Sequence, residues 1–191
     1  MMKKILIGGI VGGSVIFVWG AVSHMALPLG ETGVKQIPNE DAVIAAMRQS
    51  IPQPGLYFFP GMDMSHKPSD EEQKAWTAKY TAGPTGILVY HPQGEAPLSP
   101  RQLLTELASN VLMALLAAFL LSMVSGSFGR RALFVALLGL FSWLSISISY
   151  WNWYGFPTDF SLAEAVDQVA GCFLAGLVLA AIVKPPSLRA A

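Results

Sequence analysis

Leu162-Ala163-Glu164-Ala165-Val166-Asp167-Gln168-Val169-Ala170-Gly171-Cys172-Phe173-Leu174-Ala175-Gly176-Leu177-Val178-Leu179-Ala180-Ala181-Ile182-Val183 is a run of 22 residues whose two carboxylates both fall in its first third. A helix needs about 20 apolar residues to cross the hydrocarbon of a bilayer, so this run is long enough to span. Three more runs read the same way: Ile5 to Leu27, Leu103 to Val124 and Ala132 to Tyr150, of 23, 22 and 19 residues. His24, Glu106, Glu164 and Asp167 are the only acidic, basic or histidine side chains in all four. Over its 191 residues the chain is 53% apolar and 13% charged, against about 25% charged in soluble domains, and its mean hydropathy is +0.49. These values exclude an ordinary soluble domain. The expected architecture is an integral membrane α-helical protein, a four-transmembrane-helix bundle with a small α+β extracytoplasmic domain inserted between helices 1 and 2.

The formal charge is zero, yet the charges are separated along the chain. Lys3 and Lys4 precede the first run, Arg130 and Arg131 lie in the connection 125–131, and Lys184 and Arg189 follow the fourth run, with no acid among them. By the positive-inside rule these segments are cytoplasmic, so both termini are inside. The other six bases and all 12 acids fall elsewhere. Tyr150-Trp151-Asn152-Trp153-Tyr154-Gly155-Phe156-Pro157 is an aromatic belt of headgroup depth, and it falls on the outer side by the same count. A bacterial inner membrane fits this pattern, with residues 28–100 in the periplasm. The first run also carries signal-peptide features, namely Lys3-Lys4, an apolar core to Val18 and Ala21-Val22-Ser23. Its continuation through Leu27 exceeds the usual signal core and favours a retained span. Cys172 is the single cysteine, so no intramolecular disulfide is available.

The division expected is 1–27 for helix 1 with a short cytoplasmic start, 28–100 for the outer domain, and 101–191 for helices 2 to 4 with a C-terminal tail. Ten of the 13 prolines punctuate residues 28–100 into short elements. Asn39 followed by Glu40-Asp41 starts a helix to about Ser50, with Val43, Ile44 and Met47 as its buried face. Gly55-Leu56-Tyr57-Phe58-Phe59 and Gly86-Ile87-Leu88-Val89-Tyr90 read as strands. Between them Ser69-x-x-Glu72 is a capping box for a helix to about Thr81. Two strands around a helix suggest a minimal split sheet, and roughly 70 residues is marginal for independent stability. The domain is expected to lean on the aromatic loop and the membrane surface.

Gly8-Gly9-Ile10-Val11-Gly12-Gly13 contains two overlapping GxxxG motifs, and in lipid close approach through small residues is a main source of helix association. The motifs serve either packing within the chain or a face for a protein partner or second copy through helix 1. Gly171 belongs to a comparable stripe on the fourth run, with Glu164, Asp167, Gln168, Cys172 and Ala175.

His24, Glu106, Asn110 and Asp167 fall at one depth near the outer boundary, where Ser142, Ser145 and Ser149 of the third run also reach. An ionisable group in a span costs several kcal/mol unless paired or wet, so these residues define a candidate ligand pocket for a lipid- or quinone-like molecule. Solvated helix ends are the competing account, since helix N-termini favour carboxylates. Asp167 needs a donor, and His24 is the expected one. Met62, Met64 and His66 form a second candidate, because thioether and imidazole suit Cu(I) where three ligands converge. No cofactor is otherwise expected. The chain lacks GxxxxGK[ST], HExxH, GxSxG and CxxC patterns, which removes sequence support for nucleotide hydrolysis, zinc proteolysis, serine acyl transfer and haem attachment. No span carries a midpoint charge, four spans are few for a transporter, and the cytoplasmic parts are too short for nucleic acid. The reading is a non-enzymatic accessory or structural membrane subunit that binds a partner and contacts membrane lipid, the alternative being an outer-leaflet ligand or Cu(I) binder.

Overall fold

The computed structural model describes residues 1–185 and divides them into two compact units, 1–34 with 97–185 and 35–96. The first contains four long helices, α1 (Met2–Met25), α4 (Pro100–Leu121), α5 (Phe128–Tyr154) and α6 (Thr158–Ile182). Each is long and apolar enough to cross a membrane. The second contains α2 (Glu40–Ser50), β1 (Gly55–Phe59), α3 (Asp70–Ala82) and β2 (Gly86–Tyr90).

In the helical unit α1 lies between α4 and α6, α5 packs along α6, and α4 meets α5 and α6 only lightly. Small residues set these distances. A β-carbon on Gly13 would stand 2.5 Å from the Val111 Cα, and one on Gly9 would overlap Leu115, so this pair seats α4 backbone to backbone. Gly8 and Gly12, one helical face over, receive Leu179 and Val183 of α6. Both GxxxG registers are therefore filled within the chain. On α5, Gly139 lies against the Gln168 carbonyl, and on α6 Gly176 lies against that of Ala132. The same close backbone approach binds this second pair of helices. Leu121, Val135, Leu179 and Val183 form the densest packing, at the end where α4 and α6 finish and α5 begins.

Several boundaries differ from the expectation. Helix α5 starts at Phe128, capped by Ser127, so Arg130 and Arg131 occupy its first turn and not the connection 125–131. Helix α4 starts at Pro100 behind a capping box of Ser99 and Gln102 that the hydropathy window passes over. Residues 28–34 belong to the helical unit, so the inserted unit is narrower than 28–100. Pro28–Gly30 forms a 3-10 turn that brings Gly30 onto His24, and Gly33 at φ +78° meets Phe160.

In the inserted unit both strands fall where the sequence places them. They pair directly and antiparallel, Gly55 opposite Tyr90 and Phe59 opposite Gly86, so the sheet is a two-stranded ribbon and not split. Helix α3 carries the full Ser69–Glu72 capping box. It is tied to β1 by the Trp76 indole, which donates to the Pro60 carbonyl at 2.9 Å, and by Tyr80 stacked on Phe58. Helix α2 forms over the expected residues, but Asn39 takes a left-handed conformation and its side chain caps nothing. Val43 and Ile44 are each 36% exposed, so the face expected to be buried is largely open.

Candidate functional site

The α5–α6 hairpin turns through Gly155, whose left-handed backbone (φ 70°) ends α5, and Pro157, whose fixed φ suits the start of α6. Trp151 Nε1 donates to Thr158 Oγ1 across the turn at 3.1 Å. One turn further in, Trp143 Nε1 donates to the Ser161 carbonyl at 2.7 Å. With the backbones pinned by Gly139 deeper in and by these indoles near the turn, the side chains between them leave a cavity of about 220 Å³. Its lining combines aromatic rings, Tyr150, Phe156 and Phe160, with polar side chains, Ser142, Ser147, Ser161, Glu164 and Gln168. The aromatic rings are in register: Tyr150 stacks on Phe156 at 5.5 Å, and Phe156 meets Phe160 at the same distance.

The polar lining is not satisfied. Gln168 Nε2 donates to Glu164 Oε2 at 3.3 Å, which fixes the amide and leaves Gln168 Oε1 buried with no partner. Ser161 is 4% exposed, and its hydroxyl has no partner either. Buried polar atoms are nearly always hydrogen-bonded in folded proteins, and each exception asks for an explanation.

The residues singled out from sequence are arranged otherwise. Glu106 and Asn110 do come together, Asn110 Nδ2 donating to Glu106 Oε1 at 3.1 Å within one face of α4. His24 turns back on its own helix, its Nδ1 lying 2.8 Å from Ser23 Oγ and 3.1 Å from the Gly20 carbonyl. Asp167 Oδ1 is buried without a hydrogen bond, so the expected His24–Asp167 pair is not formed. What meets α6 at this level is Trp19, whose indole donates to the Asp167 backbone carbonyl at 3.1 Å and lies over Gly171. Gly171 is thus the seat of an aromatic ring. Ser145 and Ser149 are exposed, and the cavity takes Ser142 and Ser147 instead.

Arg131 was missed as a structural residue. It is 2% exposed, and its guanidinium donates to Leu121 O at 3.1 Å, Val183 O at 2.7 Å and Ala180 O at 3.4 Å. The last carbonyls of a helix have no partner inside it. One side chain from the first turn of α5 therefore closes the C-terminal ends of both α4 and α6, and a cation there also complements their dipoles.

In the inserted unit Met62 lines a cavity of about 200 Å³ with Trp76, whereas Met64 is 77% exposed. His66 lies between two carboxylates, 3.3 Å from Glu72 and 3.8 Å from Asp63. Ser69 donates its backbone N–H and hydroxyl to Glu72, which holds that carboxyl below the ordinary range, and the Ser65 N–H does the same for Asp63. Copper coordination by Met62, Met64 and His66 would require Met64 to turn inward and His66 to leave Glu72. Among the described residues no three His, Cys, Asp or Glu side chains are grouped to hold a metal ion.

No family model, no curated protein and no solved structure matches this chain. The site is defined by its own geometry, a cavity between two helices long and apolar enough to cross a membrane, lined by aromatic rings and polar side chains.

Proposed function

We propose that the protein is a non-enzymatic, multi-pass inner-membrane protein that holds a small amphiphile, lipid- or quinone-like, in the outer leaflet between α5 and α6. The observation that carries this reading is a cavity between α5 and α6 lined by aromatic and polar side chains, two of which, Ser161 and Gln168, each hold a buried polar atom without a partner. An orphaned polar atom in an apolar setting costs about 1–3 kcal/mol, and a ligand headgroup supplies the missing bond. Apolar cavities with a few convergent polar groups are the usual form of ligand sites, and one between helices at headgroup depth opens toward molecules with a polar end and an apolar tail. The outer-leaflet placement follows from the charge separation, with the Arg131 end of the bundle cytoplasmic and residues 35–96 periplasmic. An accessory-subunit role would use the aromatic outer loop, the acidic domain or helix 1; since α4 and α6 cover the glycines of α1, a partner or second copy at helix 1 would meet the outward face of Leu6, Ile7 and Ile10.

Two measurements test the reading. Purification in a mild detergent followed by extraction and mass analysis is expected to recover an amphiphile at near-stoichiometric amounts. Narrowing the cavity mouth with Ile146→Trp or Ser147→Phe should lower its recovery about tenfold without loss of helix content. Equal recovery from both variants would refute the site. Cysteines introduced at Ser127 and Ser69 test the orientation: labelling of Ser69→Cys alone by an impermeant reagent is expected, and the reverse pattern inverts the topology.

A further inference from the structure

The chemistry of the cavity selects among amphiphiles. Glu164 is half-buried in the wall, and one of its oxygens accepts from Gln168. No residue of the lining is basic, and among the described residues Glu164 has no ion-pair partner. Two further polar side chains, Gln168 and Ser161, line the same space. Gln168 Oε1 is an acceptor held in place by the Nε2–Glu164 bond, and the unengaged Ser161 hydroxyl can accept as well. The rings of Tyr150, Phe156 and Phe160 line the same cavity, Phe160 one turn before Glu164 on α6. A carboxylate at membrane depth is costly unless a cation accompanies it, and aromatic faces attract cations within about 6 Å of their centroids. The one feature that would favour an anion is the N-terminus of α6. Its effect fades within the first turn, whereas Glu164 and Gln168 lie six and ten residues past Thr158. The first turn is also occupied, since Asp159 Oδ1 accepts from the Phe160 N–H at 2.9 Å.

We propose that the missing cation is supplied by the ligand, and that the α5–α6 cavity binds the ammonium group of an amphiphile, with Glu164 as its counter-ion, Gln168 Oε1 and Ser161 as further acceptors and the three rings as the apolar wall. The inference rests on the ligand-binding reading above and narrows it. An ammonium group of this kind is carried both by the amine headgroup of a zwitterionic phospholipid and by a free alkylamine. An anionic headgroup would place like charges together, and an uncharged one would leave the Glu164 carboxylate without a counter-ion.

The test uses the full chain in an uncharged maltoside detergent, with phosphatidylethanolamine, phosphatidylglycerol and dodecylamine as probes and dodecanol as the uncharged control. Native mass spectrometry with equimolar phosphatidylethanolamine and phosphatidylglycerol is expected to show about tenfold preference for the former. Glu164→Gln keeps the shape and the acceptor for Gln168 Nε2, so it should fold normally and abolish the preference. Retention of dodecylamine over dodecanol, lost in the same variant and competed by phosphatidylethanolamine, identifies the lipid as a source. Retention of dodecylamine that phosphatidylethanolamine does not compete points to a free amine, and also supports the ammonium site. Binding of phosphatidylglycerol as well as phosphatidylethanolamine, with both unaffected by Glu164→Gln but both reduced by Ser147→Phe, overturns the ammonium inference while the cavity reading stands. Binding insensitive to Ser147→Phe as well overturns both.

Discussion

The two ends of the helical unit solve the same problem in opposite ways. At one end α4 and α6 stop and α5 starts, and the orphan carbonyls are closed by Arg131, with Ser122 Oγ donating to Phe119 O as a further cap. The surrounding residues, Leu121, Leu179 and Val183, are almost fully buried. At the other end α5 and α6 separate around a cavity in which Ser161 and Gln168 keep polar atoms without partners. The first end satisfies its helix-terminal carbonyls from within the chain and leaves only Arg131 Nε buried without a partner. An end that leaves polar groups unsatisfied forgoes stability, and such sites are where binding is expected. The contrast is sharpened by the light contact of α4 with α5 and α6: Arg131 is one of few links across that side of the bundle.

The comparison breaks most sharply at Arg131. Arg131→Met keeps the stem but removes the donors to three carbonyls, and it should lower stability by about 3 kcal/mol, since buried acceptors stripped of a charged donor are expensive. Arg131→Lys should recover only part of this, because an ammonium cannot present the planar fork that reaches Leu121 on one side and Val183 on the other. Reversible unfolding in mixed micelles measures both. A methionine variant within about 0.5 kcal/mol of the parent would mean that the guanidinium is a passenger and the two ends do not differ in this way.

Next in size are the glycines. Gly13→Val places a β-carbon on the Val111 backbone and should cost about 2 kcal/mol by overpacking. Gly20→Val meets nothing within 4 Å and should be close to neutral in the same assay. Equal effects at the two positions would contradict the seating of α4 on α1.

How far these features were legible from sequence depends on the range of the interaction that creates them. The spans come from local hydropathy, the strands from apolar runs between Gly and Pro, and the α3 cap from a four-residue pattern, so all three were readable. The sequence puts Arg131 in a cytoplasmic connection because the positive-inside rule counts residues without knowing their partners. The carbonyls that bury it belong to Leu121, Ala180 and Val183, and only the packed bundle brings them together. The cavity escaped for a similar reason. The serine stripe of the third span was phased on Ser142, Ser145 and Ser149, whereas the close contact of Gly139 with the Gln168 carbonyl rotates α5 so that Ser142 and Ser147 face α6. The expected His24–Asp167 pair likewise depends on packing, and the two side chains do not pair.

At the open end the expected sign is reversed. Ser161→Ala deletes a buried hydroxyl that has no partner, keeps the small volume, and leaves intact the backbone carbonyl that receives Trp143. It should therefore raise stability, by about 1 kcal/mol in the ligand-free protein. If the cavity holds an amphiphile as proposed, the gain should shrink when the ligand is added, because the hydroxyl would then be engaged. A loss of stability in the ligand-free protein would show that Ser161 is already satisfied from within the chain, and the difference between the two ends would be one of degree.

The smallest effect concerns carboxylates, where the same contrast between satisfied and unsatisfied groups appears with the burial reversed. Asp167 is buried at Oδ1 and unpartnered, while Glu72 is exposed and fully engaged by Ser69 and His66. The Ser69 N–H and hydroxyl hold the Glu72 carboxyl below its ordinary value. A group whose pKa is lower in the folded state contributes stability above its unfolded pKa, and that contribution disappears as pH falls through the folded value. The start of α3 should accordingly keep its hydrogen-exchange protection from neutral pH down to the ordinary glutamate range, near pH 4.3, and lose part of it below. Correction for the intrinsic pH dependence of exchange isolates the effect. Glu72→Gln should show reduced protection at neutral pH and a flat profile through the acid range, because its amide cannot be protonated there. Exposure screens the charge, so the change should be confined to the first turn of α3 and leave the α5–α6 hairpin untouched. An acid-induced loss that persists in Glu72→Gln would assign the sensitivity to Asp63, whose carboxyl the Ser65 N–H also holds low, and Asp63→Asn would then be the variant that flattens the profile.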